Sequence, residues 1–370
     1  MFTLRRGVAV AAAVLLALGA AACESSGDGS SSSSSSGSGS GAKIALLLPE
    51  SQTTRYEQFD KPLFEAKVKA LCSGCTVIYE NANAQSDQQQ QQAEAALNAG
   101  AKVLVLDPVD GQAAASIVAT AAAKNVPVIS YDRLVTGADV DYYISFDNVK
   151  VGALQATALV EKLKKDGKTS GTIVMINGGP TDNNAKLFNK GAHSVFDASG
   201  FTLNPKPDYF TPDWKPENAQ TEMDSLISRL GKTGFVGVYA ANDGTAGGAI
   251  AAMKAAGVSP IPPITGQDAE LAAVQRIVSG DQYMTVYKAI KPEAEKAAAL
   301  AVDLAQGKTP SPAPSTTTDN GKKHVPSILL TPVVVTKDTI KTTVVADSFY
   351  TAAQICTADY ATACEAAGLQ

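Results

Sequence analysis

The chain has 370 residues, 45% of them hydrophobic, with 31 basic against 36 acidic side chains and a net charge of −5 at pH 7. Mild acidity without a basic run argues against nucleic acid as a partner. Beyond its first forty or so residues the chain is long enough, at a globular composition, for two domains.

In chain order, Arg5 and Arg6 precede an apolar run from Val8 to Ala22. The run is short for a membrane span, and its charged start and small-residue end read as a secretory signal over residues 1–22. Cys23 follows AAA directly. This break resembles the lipobox of bacterial lipoproteins, with Ala20 where leucine is usual. The resemblance implies that Cys23 is lipidated and anchors the protein to the outer face of the cell membrane. A cleaved signal without lipid is the alternative. The stretch ESSGDGSSSSSSSGSGSGA carries almost nothing to bury, so residues 23–42 read as a flexible tether.

From Lys43 short apolar runs alternate with amphipathic, alanine-rich segments. The runs are KIALLLP, TVIYEN, KVLVLD, VPVISY, YYISFD, TIVMIN, FVGVYA, PITGQD and MTVYK. Between them lie helix-length stretches such as FEAKVKAL, AASIVATAAAKN and GALQATALVEKLKK. Such alternation predicts βα units and parallel sheets, and so many units predict an α/β protein with two doubly wound lobes. The segment SDQQQQQAEAALNAG reads as a helix, with Ser86 and Gln89 at capping-box spacing, Gly100 as its stop and the glutamines as a solvated face.

Ligands of such sheets bind beyond the carboxyl ends of the strands. The residues found there are Arg55 and Tyr56 after the first run, Asp132 and Arg133 after VPVISY, and Asp182, Asn183 and Asn184 after TIVMIN. Asn242 and Asp243 follow FVGVYA, Asp268 ends PITGQD and Lys288 ends MTVYK. Any one of them could be a cap or turn residue; Asp182 would serve as a cap for the helix AKLFNKGAHSVF. Together, carboxylates and amides accept paired hydrogen bonds from adjacent hydroxyls, while Arg and Lys donate to ring and hydroxyl oxygens. Asp132, Asp182 and Asp268 balance Arg55, Arg133 and Lys288, which suits a neutral polyol better than a phosphate or an acid. Tyr56 and Trp214, the only tryptophan, offer flat apolar faces to a ring. A surface-loop tryptophan is the alternative for Trp214.

With Cys23 assigned to lipid, Cys72, Cys75, Cys356 and Cys364 remain, and four cysteines allow three pairings. Sequence proximity favours Cys72–Cys75 and Cys356–Cys364. A zinc site is the competing reading of CSGC, but His193 and His324 are remote from it, and an oxidising compartment favours disulfides. No metal and no cofactor are expected.

The stretches YDR, YISFDNVKVGALQA, GPTDNNAKLF, ANDGTAGGAI, GQDAELAAVQRI, MTVYK and VPSILLTPVVV occur in this order between Lys43 and about Ile340. They resemble the periplasmic sugar-binding proteins of ABC importers, the xylose-binding members above all. Tyr56 departs from a tryptophan of those members, and Gln58 from a lysine. The resemblance implies a type I fold of two lobes joined by three hinge crossovers. The expected lobes are 43–147 plus 288–325 and 148–287 plus 326–345, with 346–370 as a tail of no assigned role. It also implies contacts to one monosaccharide from Arg55, Tyr56, Asp132, Arg133, Asp182, Asn184, Trp214, Asn242, Asp268 and Lys288. The expected function is capture of a neutral sugar, D-xylose first and a hexose such as glucose or galactose second. The protein would act as a monomer and hand the sugar to a membrane permease, and could also feed a membrane sensor.

Two other classes fit less well. A glycosidase could use Asp132 and Asp182 as paired carboxylates. Each, however, lies beside cations that keep it ionised, and the chain has no G-x-S-x-G elbow, zinc motif or phosphate loop. A sugar-sensing repressor would carry a DNA-binding helical domain where this chain has a signal and a tether.

Overall fold

The structure, a computed structural model, describes residues 41–369 apart from Pro312. The expected signal, Cys23 and nearly all of the tether lie outside the described residues.

The elements follow the apolar runs. In the first half they are β1 (Lys43–Leu48), a helical turn (Tyr56–Asp60), α1 (Lys61–Leu71), β2 (Thr76–Asn81), α2 (Ser86–Asn98), β3 (Ala101–Leu106), α3 (Ala115–Ala123), β4 (Val128–Tyr131) and β5 (Tyr142–Phe146). Next come α4 (Asn148–Lys165), β6 (Thr172–Ile176), α5 (Asn183–Phe196), β7 (Thr202–Asn204), a turn (Pro212–Trp214), α6 (Pro216–Leu230), β8 (Gly237–Ala240), α7 (Asp243–Ala255), α8 (Leu271–Ser279) and β9 (Met284–Tyr287). The remainder is α9 (Ile290–Ala305), β10 (Thr316–Asp319), β11 (His324–Leu330), β12 (Val333–Thr336), α10 (Ala352–Ile355) and α11 (Ala361–Ala366).

The first sheet has the order β10-β11-β5-β4-β3-β1-β2, parallel except for the β10–β11 hairpin. Its strands read as unbroken apolar runs because both faces are covered. Ile44, Leu46 and Leu48 of β1 pack with Phe64 and Val68 of α1 and Ala297 and Ala301 of α9. Ala45 and Leu47, one residue out of phase, pack with Ala93 and Leu97 of α2 and Ile117 of α3. The second half repeats this plan around parallel strands β7-β6-β8. Ile173 and Met175 of β6 face α4 and α5, whereas Val174 and Ile176 face α6 and α7. PITGQD contributes single bridges, Val238–Ile264 and Gln267–Val286, rather than a strand; they lead on to the antiparallel pair β9–β12. Helices α4 and α5 touch backbone to backbone, so a Cβ on Gly152 would fall 1.8 Å from the Phe188 carbonyl oxygen.

The chain leaves the first sheet after Phe146, returns after Tyr287 and leaves again after Leu330. The last crossing, expected near Pro326, therefore lies further on. β11 runs unbroken through Pro326, and its residues Ser327–Leu330 pair with β5. A proline is tolerated there because it stands opposite the edge strand β10 rather than between two central strands.

One further expectation, the capping box of α2 with its solvated glutamines, needs correction. The helix α2 is capped by Gln85 without a side-chain bond, and Ser86 is already its first residue. Gln89 turns inward instead of completing a capping box. Its amide donates to the Asp107 carbonyl at 2.7 Å and accepts from the Val109 amide at 2.9 Å, so it pins the loop after β3. The cysteines join as Cys72–Cys75 and Cys356–Cys364, which leaves CSGC no free thiolates for zinc.

Candidate functional site

The carboxyl ends of the two sheets face each other across one cavity. All ten residues picked out from the sequence line it: Arg55, Tyr56, Asp132, Arg133, Asp182, Asn184, Trp214, Asn242, Asp268 and Lys288. Thr53, Phe188 and Gln267 complete the lining. These three carry no charge signal in the sequence. Phe188 belongs to the apolar stripe of α5, and Gln267 only precedes the aspartate that ends its run.

The first-sheet wall is a web of ion pairs. Arg55 donates from Nε and Nη2 to Asp60 at 2.9 and 2.7 Å, and from Nη2 to Glu293 at 2.7 Å. Its Nη1 is left 3.2 Å from Asp132 and without a hydrogen-bond partner. Tyr56 donates its hydroxyl to Asp132 at 3.2 Å, and its ring lies between the guanidinium groups of Arg55 and Arg133. Arg133 is held by Glu50 and Asp182, both at 3.2 Å, with Asp107 at 3.7 Å. Lys288, entering from the end of β9, sits 3.3 Å from both Asp132 and Asp268.

The second-sheet wall is built from helix N-termini and unusual backbone. Asp182 caps α5 by accepting from the Asn184 amide at 2.8 Å, and its other oxygen accepts from the Trp214 indole at 3.2 Å. One oxygen of Asp182 thus caps the helix, and the other meets Trp214 and Arg133 in the cavity lining. Asn242 caps α7 in a reciprocal pair with Thr245. Asn184 spends its amide on the protein: it donates to the Asp132 carbonyl at 3.1 Å and accepts from Asn148 at 2.8 Å, tying the two walls together. Trp214 is only 6% exposed, which overturns the surface-loop alternative. Its ring rests on the two glycines of INGGP. A Cβ on Gly178 would stand 1.9 Å from Cη2 and 2.3 Å from Cζ2 and Cζ3, so only a residue without a side chain fits. Asp132, Trp214 and Asp268 have φ of 50°, 58° and 95°. Aspartate tolerates positive φ, but for the bulky Trp214 it is costly, and such strain clusters at ligand clamps.

The expected charge balance is not what the structure contains. Behind the three lining acids stand Glu50, Asp60, Asp107 and Glu293, so seven carboxylates share Arg55, Arg133 and Lys288. Burial resolves the surplus through protonation. It pushes Glu293 up to about 8, and it also raises Asp60, Asp107 and Asp182. Burial would raise Asp132 too, but Arg55, Lys288 and Arg133 together outweigh it and hold this carboxyl below the usual range. Asp132 is thus the fixed negative charge at the centre of the cavity.

Asp132 is locked among the cations Arg55 and Lys288. What the cavity offers is a dense array of paired acceptors and donors. Residues 44–309 match the periplasmic binding protein domain family. The D-xylose-binding periplasmic protein of Escherichia coli is 40% identical over 310 residues, covering 83% of this chain and 91% of that protein. The multiple sugar-binding periplasmic receptor ChvE of Rhizobium radiobacter is 36% identical over 282 residues, or 72% of this chain and 80% of ChvE. Among solved structures, an ABC transporter solute-binding protein of Clostridium phytofermentans with bound β-D-glucose superposes with a TM-score of 0.78 at 29% identity, covering 85% and 99% of the two chains. A carbohydrate transporter solute-binding protein of Chloroflexus aurantiacus in complex with D-glucose gives 0.76 at 32% identity, covering 84% and 97%. These relatives are solute-binding proteins and not enzymes, and the chain belongs to the family of periplasmic sugar-binding proteins with the type I fold.

Proposed function

We propose that the protein captures a neutral monosaccharide outside the cytoplasm, D-xylose first, and delivers it to an ABC importer while tethered through a lipidated Cys23. The observation that carries the reading is the ten-residue cavity in which Asp132, bridged through Lys288 to Asp268, faces Asp182, Asn242 and Trp214 across the cleft. Carboxylates and amides at such spacing accept hydrogen bonds from neighbouring hydroxyls, and Arg55 keeps Nη1 unspent for an oxygen of the sugar. The lining cations are already matched by carboxylates, which disfavours an acidic sugar. A hexose is the second reading, favoured by the glucose bound in two structural neighbours.

We assign 43–147, 288–325 and the rest of β11 to one lobe and 148–287 with 331–345 to the other. Closure of the two over the sugar is the signal a permease would read. The protein acts as a monomer in this reading. Calorimetry of the chain from Lys43 onward with D-xylose, D-glucose, D-galactose and D-galacturonate tests it. D-Xylose should bind, D-galacturonate should not, and a sugar at 100 times its dissociation constant should stabilise the fold by about 2.7 kcal/mol. Absence of binding by every neutral sugar would overturn the reading.

A further inference from the structure

The family match ends at residue 309, yet the chain folds on to Leu369 and does so with purpose. Helices α10 and α11 are bridged by Cys356–Cys364 and pack on α8 of the second sheet. Ile355, Cys364 and Leu369 are buried there with Val274 and Ile277. Gln275 of α8 donates to the carbonyls of Gln354 and Ile355, both at 3.3 Å. The tail is thereby fixed to the second-sheet half.

Its leading end points elsewhere. Phe349 stacks on Phe59 with ring centroids 4.2 Å apart and planes 22° from parallel, and Tyr350 meets the same ring edge-on at 5.8 Å. Phe59 belongs to the helical turn Tyr56–Asp60 of the first-sheet half, and it is flanked in sequence by the web around Arg55, Tyr56 and Asp60. Phe349 also touches Tyr287 at 5.1 Å, one residue before Lys288, where the chain crosses between sheets. The close aromatic pairs outside the tail among the described residues, Phe188–Trp214 and Phe196–Tyr239, stay within the second-sheet half.

We propose that the C-terminal tail is a clasp: anchored on α8, it grips Phe59 through Phe349 and Tyr350, braces the crossover at Lys288, and so holds the two walls of the sugar site together. The proposal rests on the sugar-binding reading only for its effect on affinity. Phe59 and Phe349 act as positioning residues and touch no ligand. Closure brings the aromatic pair together, and opening the cleft parts it. The clasp therefore favours the closed form before any sugar arrives, and a sugar that needs that form binds more tightly in proportion.

Small-angle scattering and calorimetry on the chain from Lys43 onward, with disulfides intact, test this with Phe59→Ala, Phe349→Ala and the double variant. The sugar-free radius of gyration should rise in each. D-Xylose affinity should fall about three- to tenfold in either single variant, as expected for an aromatic pair. The double variant should lose less than the sum of the two single losses, because both remove the same Phe59–Phe349 stack. Phe59 is half-buried and packs only against the margin of the tail's core, so Phe59→Ala carries the test if Phe349→Ala fails to fold. A sugar-free radius unchanged in Phe59→Ala overturns the clasp. That readout needs no ligand, so it stands even if no sugar binds the wild type and the functional reading fails.

Discussion

The two walls of the cavity hold their polar groups by different means. On the first-sheet wall Asp132, Arg55 and Arg133 are fixed by one another and by acids behind them, in a web where each cation meets at least two carboxylates. On the second-sheet wall Asp182 and Asn242 are fixed by the helix N-termini they cap, and Trp214 by the glycines beneath it. A charge web fails as a unit, because losing one member strands buried charges on its partners. A set of separate caps fails piece by piece. The first wall should thus be the more costly to disturb in stability, and the second in binding alone.

The largest effect that tests this contrast comes from Asp132→Ala. It removes the one carboxylate that Arg55 and Lys288 share, so it should cost about 3–5 kcal/mol of stability and lower sugar affinity at least about 10- to 150-fold. Asp268→Ala should lower affinity over the same range of about 10- to 150-fold. Its stability loss should be smaller, because Asp268 partners Lys288 alone among the cations and that lysine keeps Asp132. Chemical denaturation and calorimetry on both variants check the pair; equal stability losses would break the contrast between the walls.

A smaller effect is expected at Gly178, where the change is steric. Gly178→Ala places a methyl group into the indole of Trp214 and should cost about 1–3 kcal/mol as overpacking. Because Trp214 is the only tryptophan, its emission reports the displacement directly. In the wild type that emission should change saturably with sugar. In the variant the sugar-free spectrum should already be shifted and the response to sugar reduced. A wild-type spectrum retained in Gly178→Ala would show that the indole does not depend on this contact.

The smallest effect is the pH dependence of the web. Burial raises Glu293 from an ordinary glutamate value near 4.5 to about 8 in the folded protein. A raised carboxyl means that the folded state binds the extra proton, so its contribution to stability is full below about 4.5 and is lost as pH rises through about 8. Asp132 works in the opposite sense. Its depressed pKa contributes stability above the ordinary aspartate range, which is lost only as pH falls through the lowered value. Glu293→Gln keeps the acceptor to Arg55 and removes the titration. Thermal melts should therefore show a flatter profile between about pH 4.5 and 8 in the variant than in the wild type. Parallel profiles would place the proton elsewhere in the web.

Much of this molecule could be read before it folded. Parallel strands buried on both faces must be apolar throughout, so KIALLL and TIVMI declare themselves, and the polar residue that ends each run necessarily lies at the ligand-facing edge. That reasoning alone reaches Asp132, Asp182 and Asp268. It also reaches Asp107, which ends KVLVLD but stands behind the lining, and it does not reach Glu50, Asp60 or Glu293, which meet only around Arg55 and Arg133.

The order of apolar runs and helices determined the α/β class and the position of the ligand edge, because burial on two faces writes itself into local composition. The short spacing of Cys72 and Cys75, and of Cys356 and Cys364, likewise anticipated the pairing that forms. Tertiary structure alone decided which acids share which cation and that Gln89 faces inward. It alone decided that Gly178 and Gly179 exist for Trp214, and that the tail comes back to Phe59. The reason is physical. Hydrophobic burial is imprinted every two to four residues along the chain, whereas ion pairs, ring stacking and steric clearance depend on distances between segments that no local pattern encodes.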